Sequence, residues 1–134
     1  MSATIGVLAV QGDVIEHVQA LRDLGVEATA LKSPEEVESV DGLIIPGGES
    51  TTVIRLMERY HLDDAVVAAH KRGVPVWGTC MGMIVLARSV ADLDQRSLGL
   101  LDVTVRRNAF GRQIASAEVA LDIPALGEQP FPAV

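Results

Sequence analysis

The sequence predicts an α/β fold in which a mostly parallel sheet carries helices on both faces. Two observations carry that prediction: short apolar runs alternate with stretches of helical periodicity, and glycine or proline stands at the junctions. Such an alternation closes as a parallel sheet because each crossover helix must bury its apolar stripe against the strands it connects.

Residues 4–10 form an apolar run that meets Gln11-Gly12, as a strand buried on both faces and ending at a turn does. Asp13 is placed to cap a helix whose apolar residues Val14, Val18, Leu21 and Leu24 recur at helical spacing, with Gly25 as its left-handed end. Residues 26–31 predict a second strand. Ser33-Pro34-Glu35-Glu36 has the cap, first-turn proline and acids of a short helix, and residues 42–46 predict a third strand. Helices follow over 50–60 and 63–71, the latter closed by Gly73, and a short strand over 74–77 leads into Cys80. A helix over 81–89 comes next. Residues 98–107 and 117–123 read as extended segments with no helix between them, so the second half of the sheet is expected to be less regular.

With 134 residues the chain has room for one domain and one core. Apolar residues make up 49% of it and only four residues are aromatic, so Val, Leu, Ile and Ala must fill that core. The net charge of −7 disfavours a nucleic-acid backbone or an anionic membrane as partner, since both repel it. One cysteine excludes an internal disulfide and any metal site with two thiolates, and it fits a reducing, cytoplasmic setting. The start lacks a basic region, and residues 5–10 are too few for a signal core or a membrane span.

The chemistry concentrates at two junctions. Val76-Trp77-Gly78-Thr79-Cys80-Met81-Gly82 is a strand running into Gly-x-Cys-x-Gly and a helix, the cysteine version of a nucleophile turn. Its glycines permit a sharp turn and leave space beside the sulfur, and the helix that follows favours a thiolate. Pro46-Gly47-Gly48-Glu49-Ser50-Thr51-Thr52 ends another strand and opens another helix. Two successive glycines allow backbone N–H groups to receive an oxyanion, with the Met81 N–H as the second donor; the alternative is a plain glycine turn capped by Ser50. No Walker loop or dinucleotide fingerprint is present.

Residues 42–52 together with Trp77-Gly78-Thr79-Cys80-Met81-Gly82 resemble the class I, triad-type glutamine amidotransferases, whose fold is flavodoxin-like. Val10-Gln11-Gly12, Gly47-Gly48-Glu49-Ser50-Thr51-Thr52 and Arg107-Asn108-Ala109-Phe110-Gly111-Arg112-Gln113 narrow the resemblance to the glutaminase subunits of pyridoxal 5′-phosphate synthase, over residues 5–134. The resemblance implies Cys80 as nucleophile, with Gly48, Glu49, Ser50 and Arg107 binding L-glutamine. It implies oxyanion stabilisation by backbone at Gly48 and Met81, and a role for the Gln11-Gly12 turn in activation on docking to the synthase subunit. Ammonia released from glutamine passes to that partner, which combines it with a pentose phosphate and a triose phosphate. The vitamin is therefore a product, and neither cofactor nor metal is implied.

The family's general base, a histidine in a His-Pro-Glu element, and an Ile-Arg pair of the glutamine pocket both fall beyond Val134. Residues 128–134 read like the approach to another strand, and the expectation is a single amidotransferase domain truncated at its C-terminus. His17 and His70 fall in predicted helices and His61 in a helix connection, positions that favour surface or packing roles over catalysis. Two alternatives stay open at this point: another cysteine hydrolase of the glutaminase-like superfamily, and a non-catalytic module that docks on the synthase.

Overall fold

The computed structural model of the protein describes residues 2–111 and 116–134; Arg112 and Gln113 of the motif above lie outside them. Four parallel strands form the central sheet in the order β2-β1-β3-β4: β1 (Thr4–Leu8), β2 (Glu27–Leu31), β3 (Gly42–Ile45) and β4 (Val76–Gly78). Ile5 of β1 lies between Ala28 and Gly42, and Ile44 of β3 is opposite Trp77.

The helices are α1 (Val14–Asp23), α2 (Pro34–Glu38), α3 (Ser50–Arg59), α4 (Leu62–Lys71) and α5 (Met81–Leu86). Their ends follow the local chemistry. Gly25 (φ 75°) and Gly73 (φ 88°) adopt the left-handed conformation after α1 and α4. Each completes a double carbonyl cap: Gly25 N–H to Arg22 with Val26 N–H to Leu21, and Gly73 N–H to His70 with Val74 N–H to Ala69. Ser33 and Glu36 form a reciprocal capping box at α2, with Pro34 in its first turn. Asp13 occupies the N-cap of α1 but makes no side-chain capping bond, and α3 is capped by Glu49 rather than by Ser50.

One face of the sheet carries most of the core. Leu8, Leu31, Leu43 and Ile45 pack there with Val37, Val53, Met57, Leu62, Val66 and Val85 from α2 to α5. Each such side chain contributes roughly 1.5–3 kcal/mol by leaving water, which is why these helices stay on that face. Alternation along the strands sends Val7, Ala28 and Ile44 to the other face, where α1 packs. That helix has no fully buried residue, and Trp77 remains 64% exposed.

The expected helix over 81–89 ends at Leu86, and residues 87–90 form β5 (Ala87–Val90), parallel to β6 (Leu101–Val105). The carbonyls of Val85, Leu86 and Ala87 accept from Leu98, Leu100 and Gly99, so pairing with a distant segment overrides local helical preference. The extended segments expected over 98–107 and 117–123 shorten to β6 and β7 (Val119–Leu121). β7 pairs antiparallel with β8 (Phe131–Ala133), within the stretch that reads as the approach to a strand. A 3₁₀ turn at Pro124–Leu126, unforeseen in the sequence, stands between them.

Candidate active site

Because β1, β3 and β4 are parallel neighbours, their C-terminal ends lie along one edge of the sheet, where open α/β sheets bind ligands. Three turns meet there: Gln11-Gly12, Gly47-Gly48-Glu49 and Thr79-Cys80.

Cys80 is exposed and adopts φ 53°, ψ −116°, a conformation unusual for a residue with a Cβ. Close packing surrounds it. A methyl group on Gly82 would collide with the Ile45 carbonyl, and one on Gly78 with the backbone of Gly82, so both glycines of the motif are required by contact between α5 and the sheet. Met81 is the first residue of α5, and its N–H has no intrahelical acceptor. A methyl group built on Gly47 would lie 3.9 Å from the Cys80 sulfur and 3.4 Å from a carboxylate oxygen of Asp13.

The turn after β3 is clasped from β1. The Gln11 side-chain carbonyl accepts from the Glu49 N–H at 2.8 Å, and Gly12 (φ 86°) lies so close to the Gly47 carbonyl that no Cβ would fit. Glu49 turns its carboxylate onto its own helix, accepting from the backbone N–H groups of Thr51 (3.0 Å) and Thr52 (2.8 Å) and from both threonine hydroxyls. The hydroxyl bonds, followed by the backbone ones, hold its pKa down at about 2.

A cleft of about 450 Å³ is lined by Gly48, Glu49, Ser50, Cys80, Met81 and Arg107, the six residues singled out from sequence, together with Met83, Ile84, Val105, Arg106 and Asn108. Arg107 and Asn108 follow β6, so the second strand pair brings a guanidinium to the edge built by the central sheet. Ser50 lines the cleft but is buried, and its hydroxyl donates to the Gln95 side-chain carbonyl at 3.0 Å. The loop carrying Gln95 is pinned by Arg96, which bonds Glu58 and, at 3.0 Å, the buried Asp63.

Sequence reasoning missed Gln95, Arg106 and His17. The His17 Nε2 lies 3.0 Å from the Thr79 hydroxyl, one residue before Cys80, so this histidine is much nearer the Thr79-Cys80 turn than its helical position indicated. Helical periodicity shows which face of α1 His17 occupies, not which turn that face meets. His61 begins α4 in a left-handed conformation (φ 59°), and His70 lies in its last turn.

The model of the SNO glutamine amidotransferase family matches residues 7–134. The chain belongs to that family. This SNO-family chain is 52% identical over 130 residues to "Pyridoxal 5′-phosphate synthase subunit PdxT" of Thermotoga petrophila, covering 97% of this chain and 69% of that protein. It is 50% identical over 134 residues to the protein of the same name from Herpetosiphon aurantiacus, covering 98% and 70%. A crystal structure of a glutamine amidotransferase matches with a TM-score of 0.83 and 42% identity over 96% of this chain and 68% of that one. A putative peptidase E from Listeria monocytogenes shares the fold alone, at 17% identity and TM-score 0.62 over 75% and 63% of the two chains. Membership in the family sets aside the alternative of another cysteine hydrolase of the glutaminase-like superfamily. Among the described residues, no helix is long and apolar enough to cross a membrane.

Proposed function

We propose that this chain is the glutaminase subunit of a pyridoxal 5′-phosphate synthase, that it works in the cytoplasm, and that Cys80 is its nucleophile. The observation that carries the site assignment is the convergence of six residues from three separate segments on one cleft, with the cysteine exposed at a strained turn. The identities near 50% to proteins named as synthase subunits support the pathway.

In this mechanism the Cys80 thiolate attacks the carboxamide carbon of glutamine, and the electron pair of the C=O bond moves onto oxygen. The N–H groups at Gly48 and Met81 face that oxyanion. Arg107 holds the substrate carboxylate by paired hydrogen bonds. Protonation of the leaving nitrogen releases ammonia and leaves a thioester, which water cleaves to glutamate and the free thiol. The proton donor is the histidine of the His-Pro-Glu element that the family resemblance implies downstream. Glu49 orders the loop of the glutamine site through its cap, and Ser50 contributes to the cleft wall. Ammonia then passes to the synthase subunit.

The test is ammonia release from glutamine by the full-length protein with its synthase subunit present. Cys80→Ala should abolish turnover and leave thermal unfolding unchanged, because the side chain sits on an exposed turn and fills little core. Substantial turnover by that variant would overturn the assignment.

A further inference from the structure

A residue with a Cβ held at positive φ costs on the order of 1–3 kcal/mol and persists only where its surroundings over-determine it. Cys80 is such a residue, and the bonds at Thr79 show what holds it. The Thr79 N–H donates to the Ile45 carbonyl at 3.0 Å, tying the turn to β3, and the Thr79 carbonyl accepts from Gly82 at 2.8 Å, tying it to α5. The third polar group, the hydroxyl, meets His17 Nε2 at 3.0 Å. The first two restraints come from elements the turn itself joins or adjoins. The third arrives from α1, a helix 62 residues earlier in the chain, and the contact is partly buried.

We propose that His17 is a positioning residue for the glutaminase reaction: its ring fixes the Thr79 hydroxyl and through it keeps Cys80 in the left-handed turn that presents the sulfur to the cleft. The proposal rests on Cys80 being the nucleophile. The ring acts through Thr79 and takes no proton from the substrate. Its hold does not require one tautomer, because the hydroxyl can donate to a bare Nε2 or accept from a protonated one. The helix that carries it has no fully buried residue, so replacing His17 removes a bond and little packing.

The experiment uses the full-length protein with its synthase subunit and compares His17→Ala, His17→Gln, Thr79→Val and the double variant His17→Ala/Thr79→Val. A turn displaced by about 1 Å costs on the order of a hundredfold in rate, so kcat for His17→Ala should fall roughly ten- to hundredfold. KM for glutamine should stay within about twofold, since the loss lies in the chemical step. Alkylation of Cys80 by iodoacetamide should slow in parallel with kcat. Glutamine at position 17, whose amide can reach the Thr79 hydroxyl, should restore much of both rates. The double variant should be no slower than the slower single one, because both remove the same bond.

Wild-type kcat and alkylation in His17→Ala, or fully additive losses in the double variant, would overturn the proposal. A Tm that falls in His17→Ala without any change in the glutamine and Thr79→Val variants would assign His17 to folding instead. Failure of the glutaminase assignment is separable: it appears as absent ammonia release from the unsubstituted protein or as turnover by Cys80→Ala. The alkylation rates test the His17 brace in either event.

Discussion

The turn after β3 and the turn after β4 share one edge of the sheet and hold their shapes by a different balance of local and distant contacts. At Gly47-Gly48-Glu49 the backbone is free to bend and most of the side-chain bonding is local: Glu49 caps the helix it precedes with four hydrogen bonds from residues two and three positions ahead, and one clasp, the Glu49 N–H to Gln11, comes from the turn after β1. At Thr79-Cys80 the unusual conformation falls on a residue that disfavours it, and the restraint comes from β3, α5 and α1. The difference teaches that a glycine turn can be organised largely by the cap that follows it, whereas a turn that holds a residue with a Cβ at positive φ needs a rigid surround.

The sharpest way to break the second turn is to add one methyl group where no space exists. Gly82→Ala places a Cβ against the Ile45 carbonyl, and because that oxygen belongs to backbone it cannot swing aside. Overpacking of this kind typically costs about 1–3 kcal/mol, and a displaced nucleophile adds on the order of a hundredfold loss in rate. Both a lowered Tm and a glutaminase activity near background are expected. By contrast, Gly47→Ala meets only contacts of 3.4 Å or more and should unfold at close to the wild-type temperature, although it adds bulk beside the sulfur. Equal Tm values for the two variants would erase the contrast between the turns.

A smaller effect is expected where the second strand pair meets the edge. Arg107→Ala removes a guanidinium that lines the cleft but belongs to neither turn. Hydrogen bonds to charged groups are worth about 1.5–3 kcal/mol, so kcat/KM for glutamine should fall roughly ten- to hundredfold, mostly through KM. Cys80 alkylation should be unaffected, which separates this loss from those that disturb the nucleophile. Unchanged steady-state constants would remove Arg107 from the proposed glutamine site.

How far each turn was legible in the sequence follows from the same contrast. The order of strands and helices through α5 could be read because buried parallel strands are continuously apolar, while Gly25, Gly73 and the Ser33–Glu36 pair mark helix ends by local chemistry. The six cleft residues were legible from glycine spacing and family resemblance. What could not be read depends on contacts far apart in sequence. The end of α5 at Leu86 is set by pairing with β6, the burial of the Ser50 hydroxyl by Gln95, and the place of His17 by the packing of α1 over the sheet edge. Asp13 shows the converse: it stands at the right place for a cap and makes no capping bond.

The mildest test addresses the first turn alone, through pH. Glu49 has its pKa lowered from 4.5 to about 2 by the Thr51 and Thr52 hydroxyls first and by their N–H groups second. A carboxylate whose pKa is depressed on folding contributes stability that is fully present above its unfolded value. That contribution is lost as pH falls toward the folded value. For Glu49 the window therefore runs from about pH 4.5 down to about pH 2. Glu49→Gln keeps the shape of the side chain and an accepting oxygen but never carries the charge. Urea unfolding at pH 6 should thus find the variant slightly less stable than the wild type, by a margin kept small because the carboxylate is exposed and screened by solvent. That margin should narrow steadily below pH 4.5 as the wild-type carboxylate takes up its proton, and the two proteins should converge near pH 2. A gap that stays constant across this range would mean that the charge of Glu49 is not what holds the first turn, and the restraint would then lie with the long-range Gln11 clasp instead.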